Sequence, residues 1–494
     1  MKRIARVLKR VALYLTVAVC GFVVGVVGLY VYLVRSGPDL EIWHTEPLTA
    51  EFTADRTDIR SFDDYVALED ELFAQLDARI YARTPTGPEF AMVRYSRGSA
   101  ADPRAFSPDW NRSFELPAEE PVGGVLLLHG MSDSPYSFRA LGTSLNARGY
   151  HVIGLRLPGH GTAPSGLTSM TWEDMAAAVR LGAQHLASVV GPDAVHIMGY
   201  SNGAPLAVNY TLDAMDDAGD PVPASLVLIS PSIGITPAAA LAKWKGRMAY
   251  VPGLQKFAWT SVLPEFDPFK YNSFSTNAGN QVHRLTVAVK QRIETRAADG
   301  PIDAFPPTLV LLSTVDATVS VDAVIDNLLK HLGPRKHELV LFDLDRSDVS
   351  ASVLVEDPGP LTFRLLGDDA LPFHLSVIAN ESVDSMAIVC RRKPPFSTDM
   401  TIEPLATHWP PGVISLSHVA LPFPPDDPLY GLRKHAPANV INLGQLEIQG
   451  ERGLLIFPAD WLLRLRHNPF YGFLERCTLD WVDAANGRVT DPVD

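Results

Sequence analysis

The chain has 494 residues, 47% of them hydrophobic, with 42 Lys plus Arg against 56 Asp plus Glu and a formal net charge of −14. That hydrophobic content at this length supports a large buried core and more than one structural unit, which excludes a disordered chain. So acidic a body argues against nucleic acid as a partner.

In chain order, residues 1–10 are a basic tail in which Lys2, Arg3, Arg6, Lys9 and Arg10 supply five positive charges. Residues 11–34 follow without a charge, and as a helix they extend about 36 Å, longer than a hydrocarbon core of about 30 Å. A transmembrane anchor is predicted there. A cleavable signal peptide is the rival reading, but the apolar stretch is longer than a typical signal core and no small-x-small cleavage site clearly follows it. With only Arg35 immediately beyond the span, the positive-inside rule places the N-terminus in the cytoplasm and the body on the periplasmic or extracytoplasmic side. Residues 35–84 read as a linker and an amphipathic helix, capped by Ser61, with Tyr65, Leu68, Leu72, Leu76 and Ile80 at helical spacing.

The next stretch alternates apolar strands with helical segments. Gly124 to Leu128 is an unbroken apolar strand ending in the His129-Gly130-Met131 turn, and a helix is predicted from Pro135 to about Ala147. His151 to Leu157 leads into Pro158-Gly159-His160-Gly161, after which Thr171 opens a helix as part of a capping box. Val195 to Met198 then runs into Gly199-Tyr200-Ser201-Asn202-Gly203, a G-x-S-x-G turn between strand and helix. Such a turn holds its serine in a strained conformation with the hydroxyl exposed, which makes Ser201 a candidate nucleophile. Strands alternating with helices imply a parallel sheet covered on both faces.

The order of these three glycine-bearing turns resembles the α/β-hydrolase superfamily, in particular the monoacylglycerol-lipase and bacterial carboxylesterase group often labelled serine aminopeptidase-like. The resemblance spans roughly residues 85 to 345 and the stretch around His418. It implies a doubly wound, mostly parallel sheet with a helical lid, and the order serine, acid, histidine. Asp316, just past the apolar strand Thr308 to Ser313, matches the acid loop, with Asp322 as competitor. No histidine follows the next strand promptly, so an inserted β segment is expected before the histidine loop. His418, in a loop-like setting before a proline-rich run, is the expected base, and His374, inside a strand pattern, is the alternative. The resemblance also implies oxyanion donors at the backbone N–H groups of Met131 and Asn202; serine chemistry of this kind requires no cofactor, and no Cys-x-x-Cys or paired-histidine spacing suggests a structural metal.

The expected organisation is therefore a first core part at 85–232, a lid at 233–305, a second core part at 306–345, an insertion at 346–412, and the histidine loop with the C-terminal region at 413–494. Trp244, Tyr250, Phe257, Trp259, Phe266, Phe269 and Tyr271 are expected to line an acyl pocket or to form the lid's own core. The inserted strands, with a hairpin around Gly444 to Phe457, are expected to form a small accessory β unit. Cys390 and Cys477 either pair or remain buried thiols. The expected activity is a membrane-anchored serine esterase or lipase acting on a small-molecule or lipid ester. The alternatives are a serine peptidase and a catalytically inactive envelope-binding protein; a dehalogenase is excluded because its nucleophile would be an aspartate.

Overall fold

Uninterrupted apolar runs build the centre of the molecule. The computed structural model describes residues 2–234, 253–334, 337–347, 354–355, 357–435, 440–444 and 463–488. Its main sheet contains β1 (Phe114–Leu116), β2 (Gly124–Leu128), β3 (His151–Leu155), β4 (Val195–Tyr200), β5 (Ser225–Ile229), β8 (Thr308–Ser313), β9 (Glu338–Phe342), β10 (His374–Asn380), β11 (Ala387–Lys393) and β12 (Thr401–His408). A separate short pair is formed by β6 (Trp259–Ser261) and β7 (Phe274–Ser275).

The order across the main sheet is β1-β3-β2-β4-β5-β8-β9-β10-β11-β12. From β3 to β10 every neighbouring pair is parallel, and β1, β11 and β12 are joined antiparallel at the two margins. Residues on the central strands are buried on both faces, which explains why their sequences do not alternate with polar residues. Leu126, Leu128, Ile197 and Leu228 face one core with helices α4 (Trp172–Val190), α5 (Gly203–Asp216) and α6 (Thr276–Arg296). Val125, Leu127, Met198 and Val227 face the other, with α3 (Arg139–Ala147) and α7 (Tyr471–Ala485).

Two expectations change here. The inserted strands do not form an accessory unit: β10 pairs with β9, and β11 and β12 continue the same sheet. The last part of the expected lid, α6, packs into the main core through Ala278, Leu285, Val289 and Ile293. Trp244 and Tyr250, and the expected hairpin beyond Gly444, lie outside the described residues. Cys390 and Cys477 carry free thiols.

At the N-terminus, α1 (Lys2–Arg35) contains one stretch, Lys9–Arg35, long and apolar enough to cross a membrane, with a mean hydropathy of 2.5. Its end is fastened to the body. Lys256 Nζ donates to the carbonyls of Arg35 at 3.1 Å and Gly37 at 2.7 Å and pairs with Asp39 at 2.9 Å, capping the last turn where a cation is favoured. The Tyr30 ring meets Phe257 edge-on at 5.6 Å. Helix α2 (Phe62–Arg79), with Ser61 at its cap, docks through the buried Arg156, which bridges Glu51 and Glu69 at 2.9 Å each.

Candidate active site

The chain passes from β4 to α5 within two residues, Ser201 and Asn202. Ser201 takes a φ of 52°, a left-handed conformation that costs an ordinary residue about 1–2 kcal/mol. Its N–H donates to the Ile229 carbonyl at 2.9 Å, and its own carbonyl accepts from Ala204 and Ser232, so the turn is held from both sides. Only glycine fits at its end: a Cβ on Gly203 would lie 2.0 Å from the Leu128 carbonyl oxygen.

That close approach arises because β2 lies beside β4, with Leu128 opposite Gly199. The chain order reverses at this point of the sheet, where doubly wound sheets open a crevice at the carboxyl ends of their strands. The turn after β2 is braced by His129, whose Nδ1 donates to the Gly130 carbonyl at 2.8 Å and whose Nε2 accepts from the Leu157 N–H at 3.0 Å. Burial holds this imidazole well below its ordinary pKa, so it is neutral and structural. Among the described residues the backbone N–H groups of Met131 and Asn202 meet no acceptor, and both residues line the cavity beside Ser201.

The remaining two side chains converge on the serine. His418, on the short turn His418–Ala420, places Nε2 3.0 Å from Ser201 Oγ and Nδ1 2.7 Å from Asp316 Oδ2. Asp316 Oδ1 accepts from the N–H groups of Thr318 at 2.7 Å and Val319 at 3.0 Å. Burial alone would raise this carboxyl, but the hydrogen bond and charge of His418 and the two amides outweigh it and hold Asp316 below the usual carboxylate range. A carboxylate facing Nδ1 keeps the proton there and leaves Nε2 to accept from the serine hydroxyl.

His418 arrives after the β10–β12 excursion and is held by contacts from elsewhere. Ser313 Oγ donates to the Leu416 carbonyl at 2.9 Å, the Asp345 N–H to that of Ile414 at 2.9 Å, and the Tyr200 hydroxyl to that of His418 at 3.3 Å. The alternative, His374, opens β10 opposite Glu338, the first residue of the parallel β9. It therefore stands at the edge of the sheet where strands begin, across from the edge that carries Ser201. Asp322 is exposed and pairs with Arg364.

The cavity at Ser201 holds about 320 Å³, and Met131, Phe274, Val282 and Val419 give it an apolar wall. The expected lid aromatics are not on that wall: Phe257, Trp259, Phe266, Phe269 and Tyr271 are buried in packing. Asp133, Lys270 and Arg464 also line the cavity. Sequence reading missed them because none sits in a motif; Asp133 was within reach, two residues past Met131 on the same turn.

Residues 125–359 match the alpha/beta hydrolase family. This segment is an α/β-hydrolase domain. It contains Ser201 and Asp316, and His418 lies beyond the matched stretch of the α/β-hydrolase domain. Over 204 residues the chain is 26% identical to the thermostable monoacylglycerol lipase of Bacillus sp. (strain H-257), covering 41% of this chain and 74% of that protein. Over 118 residues it is 39% identical to the magnesium-chelatase 30 kDa subunit of Rhodobacter capsulatus, covering 24% of this chain and 39% of that protein. Among solved structures, the Paleococcus ferrophilus monoacylglycerol lipase is 20% identical, with 47% of this chain and 88% of that chain covered at a TM-score of 0.36.

Proposed function

We propose that the protein is a membrane-anchored serine hydrolase that cleaves carboxylic esters, with Ser201 as nucleophile, His418 as base and Asp316 as the group that orients it. The observation that carries this reading is the hydrogen-bonded relay Ser201 Oγ, His418 Nε2, His418 Nδ1, Asp316 Oδ2, with contacts of 3.0 and 2.7 Å. The similarity to a monoacylglycerol lipase supports an ester over an amide as the bond cleaved.

Ser201 Oγ attacks the ester carbonyl carbon while its proton passes to His418 Nε2, and the carbonyl oxygen becomes an oxyanion facing the N–H groups of Met131 and Asn202. One such donor is typically worth about 3 kcal/mol in the transition state. Collapse breaks the bond to the alcohol oxygen, which takes the proton from Nε2 and leaves Ser201 acylated. Water, deprotonated by the same imidazole, then attacks the acyl carbon and releases the acid and the free serine. The apolar wall receives the acyl chain. Residues 253–275, the described part of the expected lid that precedes α6, act as the lid, and α1 anchors the body on the extracytoplasmic side.

The test is hydrolysis of p-nitrophenyl esters of increasing chain length by the full chain in non-ionic detergent, beside Ser201→Ala and His418→Ala. Activity present in the parent and lost in both variants is expected. Aminoacyl amides cleaved in preference to esters, or no fluorophosphonate labelling at Ser201, would overturn the reading.

A further inference from the structure

A second, smaller cavity of about 140 Å³ adjoins the one at Ser201, and the two share Lys270, Phe274, Val419 and Arg464 as walls. Arg466 lines the smaller cavity from the same C-terminal segment. Three cationic side chains thus surround a space next to the reacting serine. At about 30 Å³ per water, it has room for a group of roughly four to five heavy atoms.

The charges around it are unevenly matched. Lys270 Nζ faces Asp133 Oδ2 at 3.5 Å, and Arg466 interacts with the charge of the buried Asp267, whose carboxylate accepts from the Tyr430 hydroxyl. Arg464 is exposed and pairs with no carboxylate among the described residues, although it borders both cavities. An arginine fork and a lysine around a pocket of this size match a tetrahedral oxyanion better than a neutral alcohol. Asn272 also lines this space, and its buried Oδ1, without a hydrogen-bond partner, is an acceptor suited to a hydroxyl of the alcohol and not to a phosphate oxygen.

We propose that this cavity is a phosphate subsite, so that the ester cleaved at Ser201 carries a phosphorylated alcohol. The proposal rests on the ester-hydrolase reading for its chemistry, while the subsite itself is defined by the cations. It also assigns work to the C-terminal segment, which lies outside the α/β-hydrolase match: Arg464 and Arg466 set the alcohol specificity of a cavity whose catalytic groups come from elsewhere.

The experiment compares 1-butanoylglycerol with 1-butanoylglycerol 3-phosphate, using the full chain in non-ionic detergent and following release of butanoate. The expected kcat/KM is about tenfold or more higher for the phosphorylated ester, carried by KM, because a charge-assisted contact is gained in the bound state. Arg464→Ala is expected to collapse that ratio toward one, and Arg464→Lys to retain part of it. Glycerol 3-phosphate should inhibit competitively where glycerol does not. A ratio of one in the parent, or a ratio unmoved by Arg464→Ala, overturns the subsite and leaves the ester-hydrolase reading standing. If neither ester is cleaved, the hydrolase reading falls instead. Calorimetry of glycerol 3-phosphate binding to the parent and to Arg464→Ala then decides the subsite, which is overturned if the two bind alike.

Discussion

The turn that carries Ser201 and the loop that carries His418 meet at 3.0 Å and are built in opposite ways. The serine turn is local: two glycines, a strand before and a helix after determine its shape, and Gly203 passes so near Leu128 that no side chain fits. The histidine loop has no such internal code. It follows three added strands and is pinned by Ser313, Asp345 and Tyr200, which belong to other parts of the chain. A serine whose geometry is written into a short motif tolerates change around it, whereas a histidine positioned by remote contacts depends on the sheet edge its chain crosses.

The largest expected effect lies where the two meet. Ser201→Ala or His418→Ala should each lower kcat by about 10⁴- to 10⁶-fold, and the double variant should be little worse than either alone, because the groups act as a unit. Steady-state ester hydrolysis with active-site titration measures this. Asp316→Asn should cost about 10⁴-fold through the wrong imidazole tautomer.

Replacing Gly203 with Ala breaks the local half. The new Cβ would sit 2.0 Å from a backbone oxygen, so the turn must shift, with a stability loss of about 1–3 kcal/mol or more read by urea denaturation. The remote half is tested by Ser313→Ala, which removes one pin from the buried Leu416 carbonyl. It should cost about 1–3 kcal/mol in stability and lower kcat several-fold while KM stays near the parent value.

The last effect is one of pH, and it falls on stability alone. Asp133, on the turn after β2, is buried, and burial pushes its carboxyl up to about 6 although Lys270 pulls it down. A carboxyl raised in the folded state contributes stability below its unfolded pKa of about 3.9 and loses it as pH rises through about 6. Between pH 4.5 and 7.5 the parent should therefore lose about 1–3 kcal/mol relative to Asp133→Asn, read from urea midpoints at the two pH values.

These contrasts also explain what the sequence disclosed. Gly199 to Gly203 announced its turn because the constraint is short-range, and the apolar run before Asp316 located that residue at a strand end. The three side chains that the structure brings together are the ones chosen from sequence. What the sequence did not show was partnership. β10 is apolar whether it belongs to a small accessory sheet or to the main one, and only its pairing with β9 decides. His374 was set apart from His418 in the sequence by its strand pattern, and strand direction adds that it stands at the wrong edge. Phe257 and Phe269 are aromatic in either setting, and their neighbours across the fold, not their spacing, keep them off the cavity wall.

Lys256 gives the clamp at the end of α1 a further meaning. The segment it roots continues through β6 to β7, where Phe274 reaches the cavity wall, and Thr276 hydrogen-bonds back to the Phe257 carbonyl at 3.1 Å. Helix end and cavity wall are thus linked through the Thr276–Phe257 hydrogen bond as well as along the chain. The end of the apolar helix and the wall beside Ser201 therefore share a short run of contacts, Lys256 and Phe257 to Thr276 and Phe274, that passes outside the main sheet.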